Sequence, residues 1–276
     1  MTKVVVVTGA SKGIGRAAAL HLAAQGFYVF AGVRKTADGA SLEQAAKGQI
    51  TPILLDVTKQ EQVAAAARQV ETAVGANGLT GLVNNAGVAV SAPLEYLPLD
   101  ELRAQLEVNL VGQLGVTQAF LPLLRRAKGR IINISSIGGR IAGPLLGAYH
   151  ASKFALEAMT DSLRLELHSW GIEVISIEPG AVATPIWETS LNRADALIAS
   201  YPPEAIALYG KAIEKKRAEA QNNSKKGIAP MQVAKVIEQA LTATRPQTRY
   251  LVGPDAKIAG NIISKLPDRI KDRLLK

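Results

Sequence analysis

Tyr149 and Lys153 lie four positions apart, so on a helix their side chains would share one face. A nearby ammonium stabilises a phenolate and lowers the pKa of a tyrosine from its usual value of about 10, which makes the hydroxyl a usable acid or base. Such a pair arises readily by chance, so the spacing needs support from other residues. His150 is turned ~100° from Tyr149 on the same helix, and we expect it to point away from the site.

Ser136 is the third candidate for this chemistry. It follows an apolar segment, residues 130–135, that predicts a buried strand. A serine hydroxyl can donate one hydrogen bond and accept others, so it can hold a substrate oxygen. Ligands of α/β sheets bind beyond the carboxyl ends of the strands, which is where Ser136 is expected to lie.

Glycines separate the first predicted strand, residues 4–7, from the helix that follows it. A phosphate at a helix N-terminus meets unpaired backbone N–H groups and the positive end of the helix dipole. Gly9, Gly13 and Gly15 would allow the close approach that a side chain prevents. A glycine-rich turn is also a common strand-to-helix connection, but this position favours a dinucleotide site.

Basic residues follow the second predicted strand, at the point where NAD-specific enzymes usually carry an acid for the ribose 2′-hydroxyl. Here Val33 is followed by Arg34 and Lys35, and Lys12 adds a positive charge from the glycine turn. An arginine can bind a 2′-phosphate with two hydrogen bonds, whereas a carboxylate would repel it. The alternative is that these bases are solvated surface residues. We favour a phosphate site and therefore NADP, with NAD as the other possibility.

Strands and helices alternate along the chain and must position these residues. Predicted helices follow the glycine turn, pass through Leu102 to Gln118, and cover residues 60–74, 149–170 and 231–243. Predicted strands cover residues 4–7, 27–33, 50–55, 80–84, 130–135, 173–177 and 249–252. Such alternation implies parallel strands joined by crossover helices. The predicted fold is a single α/β domain over residues 1–276, with a doubly wound, Rossmann-type parallel sheet flanked by helices.

Residues 186–230 are the least regular part of this pattern. They contain Pro202-Pro203 and a polar run at residues 221–227, and they lie between a strand and a helix. We therefore expect an insertion that covers the substrate, rather than a second domain.

Composition excludes several other functions. The chain has no cysteine and only three widely spaced histidines, which excludes a thiol nucleophile, a disulfide framework and a local metal motif. No apolar run approaches the ~18 residues of a membrane span, and we expect a cytoplasmic protein. The net charge is +9, but residues 211–226 and 257–276 each carry six basic and two acidic residues. The nearly neutral remainder argues against a nucleic-acid partner.

Together these residues resemble the short-chain dehydrogenase/reductase family, and its steroid and retinol dehydrogenase branch in particular, from residue 3 to about residue 253. The resemblance implies hydride transfer between a nicotinamide cofactor and an alcohol or ketone. Six motifs carry it in order: Thr8-Gly9-Ala10-Ser11-Lys12-Gly13-Ile14-Gly15, Asp56-Val57, Asn84-Asn85-Ala86-Gly87, Asn109, Ser136 with Tyr149 and Lys153, and Pro179-Gly180-Ala181-Val182-Ala183-Thr184.

The resemblance also implies a role for each residue. Tyr149 would exchange a proton with the substrate oxygen, Lys153 would hold the nicotinamide ribose and lower the Tyr149 pKa, and Ser136 would orient that oxygen. Asn109 would anchor a water that links Lys153 to solvent. The implied cofactor-binding residues are Gly9, Ser11, Lys12, Gly13, Ile14, Gly15, Arg34, Asp56, Val57, Asn85, Ala86, Gly87, Tyr149, Lys153, Pro179, Gly180, Val182 and Thr184.

Loops after the fourth, fifth and sixth strands predict an apolar substrate pocket, with no arginine placed for a carboxylate or phosphate. They contribute Val90, Leu94, Ile137, Leu145, Leu146, Ile186 and Trp187. We expect a hydrophobic secondary alcohol or ketone that is steroid-, retinoid- or acyl-chain-like. Two alternatives are a dinucleotide-sensing regulator, which would not need the three catalytic residues together, and a sugar-nucleotide epimerase, which usually needs a larger C-terminal domain.

Two helices, predicted within residues 101–127 and 149–170, have broad apolar faces. The resemblance implies that they pair with a second copy across a two-fold axis, so we expect a homodimer or homotetramer.

Residues 255–276 form a basic amphipathic segment in which apolar residues recur every four positions. Pro267 should divide this segment into two short helices. We favour packing of its apolar side on the substrate lid or on a neighbouring subunit, because amphipathic helices of soluble proteins are far commoner than those that bind an anionic membrane.

Overall fold

A parallel sheet forms the centre of the computed structural model, which describes residues 3–46 and 48–275. Its strands, in the described residues, are β1 (Val4–Val7), β2 (Tyr28–Val33), β3 (Ile50–Leu54), β4 (Gly81–Asn84), β5 (Arg130–Ile134), β6 (Glu173–Pro179) and β7 (Arg249–Val252). They are ordered β3-β2-β1-β4-β5-β6-β7, and every pair is parallel. The strand order reverses between β1 and β4, which opens a crevice at their carboxyl ends. The predicted doubly wound, Rossmann-type sheet is confirmed.

Helices cover both faces of this sheet. They are α1 (Gly13–Ala24), α2 (Thr36–Ala45), α3 (Gln60–Val74), α4 (Leu99–Leu106), α5 (Gly112–Ala127), α6 (Gly147–Leu167), α7 (Ile186–Ile198), α8 (Pro203–Lys226), α9 (Pro230–Thr242), α10 (Pro254–Asn261) and α11 (Asp268–Leu275). All seven predicted strands agree with the observed ones to within two residues at each end. The sequence reasoning missed α2, whose buried residues are only Gly39 and Leu42.

Alternation along β1 divides the core between the two faces. Val5 and Val7 pack with residues of α1 and α9, whereas Val6 packs with residues of α3 and α5 on the other side. Successive side chains of a strand point to opposite faces, so a strand buried on both sides needs a continuous apolar run. The four consecutive valines of β1 meet that need.

The long helix predicted through Leu102 to Gln118 is interrupted in the structure. A π-helical turn, Glu107–Val111, separates α4 from α5 and carries Asn109. Such turns insert an extra residue into a helix and often occur at functional sites. A sequence period of 3.6 residues does not reveal this single insertion.

Residues 186–230 are more regular than the sequence suggests, because α7 and α8 occupy most of them. Pro203 is the first residue of α8, where proline is favoured since it has no N–H group to leave unpaired. The expected irregularity is therefore wrong, whereas the insertion that covers the substrate stays a prediction, and α7 and α8 do cover a cavity. We call these two helices the lid.

The lid is held to the body by polar contacts. Arg193 of α7 pairs with Glu101 of α4. The Tyr209 hydroxyl of α8 donates to the Glu95 carboxylate at 2.7 Å.

At the C-terminus, α10 and α11 are two short helices on either side of Pro267, as predicted. Their large apolar side chains do not pack on the lid, since Ile258, Ile262, Ile270 and Leu274 are all exposed. The expectation of packing on the lid was therefore wrong, and packing on a neighbouring subunit stays a prediction. Within the described residues, no helix is long and apolar enough to cross a bilayer.

Candidate active site

The turn between β1 and α1 has the open backbone that a phosphate site needs. Gly9 and Gly13 have φ angles of +63° and +58°, in the region that favours glycine. A Cβ on Gly15 would collide with the Gly9 carbonyl oxygen, so only glycine fits there. Lys12, the residue before α1, makes no side-chain capping hydrogen bond. The first N–H groups of α1 are therefore not capped by that residue, which suits an anion.

This turn is fastened to the segment after β4. Thr8 Oγ1 accepts hydrogen bonds from the backbone N–H groups of Asn85 (2.9 Å) and Ala86 (3.0 Å). Asn85 Nδ2 donates to the carbonyl oxygens of Thr8 (2.9 Å) and Gly9 (3.2 Å). Gly87 follows and is exposed. Two of the predicted cofactor motifs therefore line one crevice between β1 and β4.

Further cofactor candidates lie at the ends of β2 and β3. Arg34 follows β2 and is exposed. Asp56 Oδ1 accepts hydrogen bonds from the Thr58 N–H group (3.0 Å) and hydroxyl (2.8 Å), which closes the turn after β3. Lys12 Nζ lies 3.4 Å from Thr189 Oγ1 of α7, so the structure places this ammonium beside the lid.

Three other predicted cofactor-binding residues lie in the segments around the site, and two of them also pack in the core. Val57 belongs to the core cluster beneath α3, and Ile14 packs against the cluster beneath α1. Ser11 is half-buried in the glycine turn. Val57 and Ile14 therefore anchor the end of β3 and the start of α1 to the core.

Ser136, Tyr149 and Lys153 meet at the carboxyl end of β5. Ser136 Oγ accepts a hydrogen bond from the Gly138 N–H group at 3.0 Å and lies 3.5 Å from the carbonyl oxygen of Pro179, at the end of β6. The Ser136 side chain also hydrogen-bonds with the Tyr149 side chain. Lys153 is one turn further along α6, with Nζ 5.9 Å from the centre of the Tyr149 ring. The structure thus brings the three predicted residues together.

Burial governs the pKa values of this pair. Burial raises the pKa of Tyr149 and outweighs the hydrogen bond with Ser136, which lowers it. Burial lowers the pKa of Lys153 to about 8, against the opposing effect of the Glu157 carboxylate. Burial thus leaves the pKa of Tyr149 raised, and not lowered as predicted. Lys153 Nζ donates a hydrogen bond to the Ile134 carbonyl oxygen at 2.8 Å.

Asn109 connects the segment after β4 with α6. Its Oδ1 accepts from the Val88 N–H group at 2.9 Å, and its Nδ2 donates to the Val88 carbonyl oxygen at 2.9 Å and to Ser152 Oγ at 3.0 Å. Ser152 directly precedes Lys153. Asn109 therefore fixes Val88 against the part of α6 that carries Tyr149 and Lys153, while the water link to Lys153 stays a prediction.

The loop after β6 closes the far side of the crevice. A Cβ on Gly13 would lie 3.3 Å from Thr184 Cβ, so this loop reaches the glycine turn. Val182 forms a β-bridge with Ile228, and the Ala183 N–H group donates to the Ile228 carbonyl oxygen at 2.9 Å. The predicted segment 179–184 is therefore held in a defined conformation next to the turn.

His150 fastens the loop that begins at Ser136, and does not simply point away as expected. Its Nε2 accepts from the Gly143 N–H group at 3.1 Å, so Nδ1 carries the proton that is donated to the Gly138 carbonyl oxygen at 3.0 Å. Burial lowers its pKa, and the nearby Lys216 lowers it further, against the raising effect of the Gly138 hydrogen bond. A neutral His150 is therefore a structural part of this loop.

A small cavity lies between the lid and the loops after β4 and β5. Its volume is about 40 Å³, below the roughly 300–1,000 Å³ of a ligand pocket. Of the predicted lining residues, Leu145, Leu146 and Trp187 line this cavity. Leu94 is instead largely exposed, and Val90 is buried in the body.

Two bases of α8, Lys216 and Arg217, also line this cavity. The sequence analysis expected no arginine placed for a carboxylate or phosphate, and it did not foresee Arg217, which the lid brings from more than 70 positions beyond Leu145. Arg217 is paired with Asp195 and Lys216 with Glu219, so both charges are already compensated within the lid.

The family model of the short chain dehydrogenases matches residues 3–195 of this chain. The chain belongs to this family. It is an oxidoreductase that acts on CH–OH groups and transfers a hydride between an alcohol or carbonyl group and a nicotinamide cofactor.

Relatives within the family cover almost the whole chain. Retinol dehydrogenase 5 of Mus musculus is 40% identical over 279 residues, which span 98% of this chain and 87% of that protein. The NADPH-dependent 3-dehydrocapnine reductase of Ornithobacterium rhinotracheale is 36% identical over 274 residues, which span 98% of this chain and 94% of that protein.

Solved structures of short-chain dehydrogenases share the fold. One from Burkholderia cenocepacia J2315, in complex with NADP, covers 100% of this chain and 98% of its own, with 28% identity and a TM-score of 0.75. One from Burkholderia phymatum, in complex with NAD, covers 100% of this chain and 96% of its own, with a TM-score of 0.80, and at 23% identity it shows the fold alone.

Asp255 is a residue of this dehydrogenase site that the sequence reasoning missed. Its Oδ2 accepts from the Ala181 N–H group at 2.7 Å, and a Cβ on Gly180 would collide with its carboxylate. Asp255 therefore holds the loop after β6 from the start of α10. The only signal in the sequence is an acid directly after Gly253-Pro254, which does not reveal a contact with residues some 74 positions earlier.

Proposed function

We propose that this dehydrogenase interconverts a hydrophobic secondary alcohol and its ketone, prefers NADP as cofactor, and uses Tyr149 as the acid and base. The observation that carries the proposal is the convergence of Ser136, Tyr149 and Lys153 at the carboxyl end of β5, on the same edge of the sheet as the glycine turn. A dinucleotide-sensing regulator would not need this convergence. A sugar-nucleotide epimerase usually binds its substrate with a larger C-terminal domain, whereas here the two lid helices cover the cavity.

In the reductive direction, the Tyr149 hydroxyl donates its proton to the carbonyl oxygen of the substrate, and in the oxidative direction the phenolate takes that proton back. Ser136 donates a hydrogen bond to the same oxygen and so fixes its position next to Tyr149. The Lys153 ammonium, charged below a pH of about 8, stabilises the phenolate that remains. A bound nicotinamide supplies or accepts the hydride.

The residues around the crevice fit a dinucleotide. Gly9, Gly13 and Gly15 leave a cradle that a Cβ would fill, and the first turn of α1 offers N–H groups to a pyrophosphate. At the end of β2 the chain presents the exposed Arg34 where a carboxylate would favour NAD. This base supports the preference for NADP, whereas Lys12, beside the lid, adds less to it than the sequence suggests.

The substrate class follows from the cavity under the lid. Apolar residues supply most of its lining, and its two bases are compensated by acids of the lid. An apolar ring or chain would gain free energy by displacing the lid and filling the space, because burial of apolar surface is favourable. A steroid-, retinoid- or acyl-chain-like ketone fits this description.

Assembly of the enzyme involves the outer face of α5 and α6. A groove of about 530 Å³ runs between these helices, with Leu114, Leu121, Met159, Leu163 and Trp170 among its lining residues. A two-fold axis would bring the same groove of a second copy against it, as in an isologous dimer. We infer a homodimer or homotetramer built on this face.

A series of methyl ketones of increasing chain length tests the proposal. With NADPH, kcat/KM should rise by about fourfold for each CH₂ buried, which corresponds to ~0.8 kcal/mol, until the space under the lid is filled. Ser136→Ala should lower kcat/KM for every ketone, while the exposed Ser200→Ala control should not. The proposal fails if no ketone is reduced, or if short or charged ketones are preferred.

A further inference from the structure

The helices α10 and α11 carry four large apolar side chains that the fold leaves in solvent. The exposed fractions are 55% for Ile258, 58% for Ile262, 45% for Ile270 and 59% for Leu274. We call these four residues the C-terminal apolar set. Single exposed apolar residues need no explanation, but four within 17 positions of one segment do.

The orientation of α10 is fixed by its opposite side. Ala256, Ala259 and Gly260 are buried, and a Cβ on Gly260 would lie 2.7 Å from the Leu251 side chain and 3.4 Å from that of Ile137. Successive residues of a helix are about 100° apart, so Ile258 and Ile262 lie on the side away from this contact. The body of the enzyme therefore presents these two side chains outward.

Charge is segregated around α11, which buries none of its residues. Ile270 and Leu274 are one turn apart, and at about 100° per residue Arg269 and Arg273 fall beside them. Asp268 and Asp272 fall on the opposite side of the helix. Lys271 Nζ lies 2.7 Å from Asp268 Oδ1, so one of these acids is already paired.

The charge of the segment identifies what would cover this apolar set. Residues 257–276 carry six basic and two acidic side chains, so a surface of the same sign would be repelled. A second copy placed on the set would bring two such segments together. A nucleic acid could meet the bases with its phosphates, but it offers no apolar phase for the four apolar side chains, and residues 255–276 contain no aromatic residue to stack on a base. An anionic lipid surface satisfies both the bases and the apolar side chains.

We propose that α10 and α11 dock this dehydrogenase on an anionic membrane surface, with the C-terminal apolar set entering the interface and the flanking bases meeting lipid headgroups. The opposite, buried side of α10 rests on Ile137, directly after Ser136, so the docking helix is attached to a loop of the active site. An enzyme held in this way would meet apolar substrates where they concentrate.

Vesicle co-sedimentation of the full chain tests the proposal. Vesicles of phosphatidylcholine with added phosphatidylserine should bind the enzyme at low salt, and those of phosphatidylcholine alone should bind it at least tenfold less. The double variant Ile270→Gln with Leu274→Gln should lower the partition coefficient at least tenfold. Arg269→Gln with Arg273→Gln should lower it and weaken its dependence on salt.

Leu99→Gln is the matched control, because Leu99 is a similarly exposed apolar residue at the start of α4, outside the lid. It should bind anionic vesicles as the native chain does, and all variants should reduce a water-soluble ketone at the native rate. Absence of binding to anionic vesicles at low salt overturns the proposal, as does equal binding to both vesicle types. It is also overturned if the Ile270/Leu274 double variant only dissociates an oligomer while vesicle binding is unchanged.

Discussion

Replacement of Gly15 by alanine tests whether the turn after β1 is shaped by close backbone contacts. The new Cβ would collide with the Gly9 carbonyl oxygen and with Asn85 Nδ2, and would come within 2.9 Å of the Gly9 carbonyl carbon. Gly15 does not have a positive φ, so the alanine would suffer from the collision and not from its own backbone angles. The turn and the segment after β4 must therefore move apart.

The cost of this movement has two parts. Overpacking of a tightly packed site costs about 1–3 kcal/mol. The two hydrogen bonds from Asn85 Nδ2, to the carbonyl oxygens of Thr8 and Gly9, contribute about 0.5–1.5 kcal/mol each and would be weakened. We expect Gly15→Ala to lower the free energy of unfolding by roughly 2–4 kcal/mol. Because the turn also cradles the cofactor, the affinity for NADPH should fall more than tenfold.

Urea unfolding and a fluorescence titration with NADPH measure the two effects. Gly210→Ala is the matched control, since its Cβ would meet only the Ile206 side chain at an ordinary 3.6 Å. In the interior of α8 this change should stabilise the fold by about 0.5–1 kcal/mol. If Gly15→Ala is as stable as the native chain and binds NADPH within twofold of it, the assignment of this turn is refuted.

Three further predictions follow from the site and the surface. Arg34→Ala should weaken NADPH binding by about 1.5–3 kcal/mol and leave NADH binding unchanged, as measured by titration, and equal losses for both cofactors would contradict a 2′-phosphate contact. Since the Lys153 ammonium loses its charge above a pH of about 8, kcat/KM for ketone reduction should fall above that pH. Glu157→Gln removes the carboxylate that raises the Lys153 pKa, so the fall in kcat/KM should begin at a lower pH. An unchanged pH profile would be evidence against a role for the Lys153 charge. Trp170→Glu should shift the sedimentation coefficient towards that of a monomer, and an unchanged oligomer would exclude the groove between α5 and α6 as the interface.

The sequence predicted the sheet well because its strands are buried on both faces. Continuous apolar runs such as Val4–Val7 are hard to mistake for anything but a central parallel strand. The residues at the strand ends, from the glycine turn to Ser136 and Tyr149, could be predicted for a related reason. The positions at which parallel strands end determine which residues meet.

Elements with little apolar content were harder to predict. In the sequence, Pro203 and the polar residues 221–226 are typical of a loop. In the structure, α8 begins at Pro203 and continues to Lys226. Only Ala205 and Ala220 of its 24 residues are buried, so the helical period is almost invisible. The single extra residue of the π-helical turn at Asn109 is also missed, because a sequence period of 3.6 residues does not reveal one insertion.

Burial and hydrogen bonds between residues far apart in the sequence could not be predicted. The spacing of Tyr149 and Lys153 suggests a lowered tyrosine pKa, but it gives neither the burial of the phenol nor the hydrogen bond from Lys153 to Ile134. The contact of Asp255 with the loop after β6 is equally invisible, because it depends on the complete fold.

Steady-state kinetics of Tyr149→Phe, with NADPH and an apolar ketone, tests the central claim most directly. This change removes only the hydroxyl, and Tyr28→Phe removes the hydroxyl of a tyrosine on β2 that bonds with Thr51. We predict that Tyr149→Phe lowers kcat by at least ~10²-fold, as expected for a lost acid, while NADPH binding stays within about threefold and Tyr28→Phe remains active. Turnover by Tyr149→Phe at close to the native rate would contradict the assignment of Tyr149 as the acid and base of this enzyme.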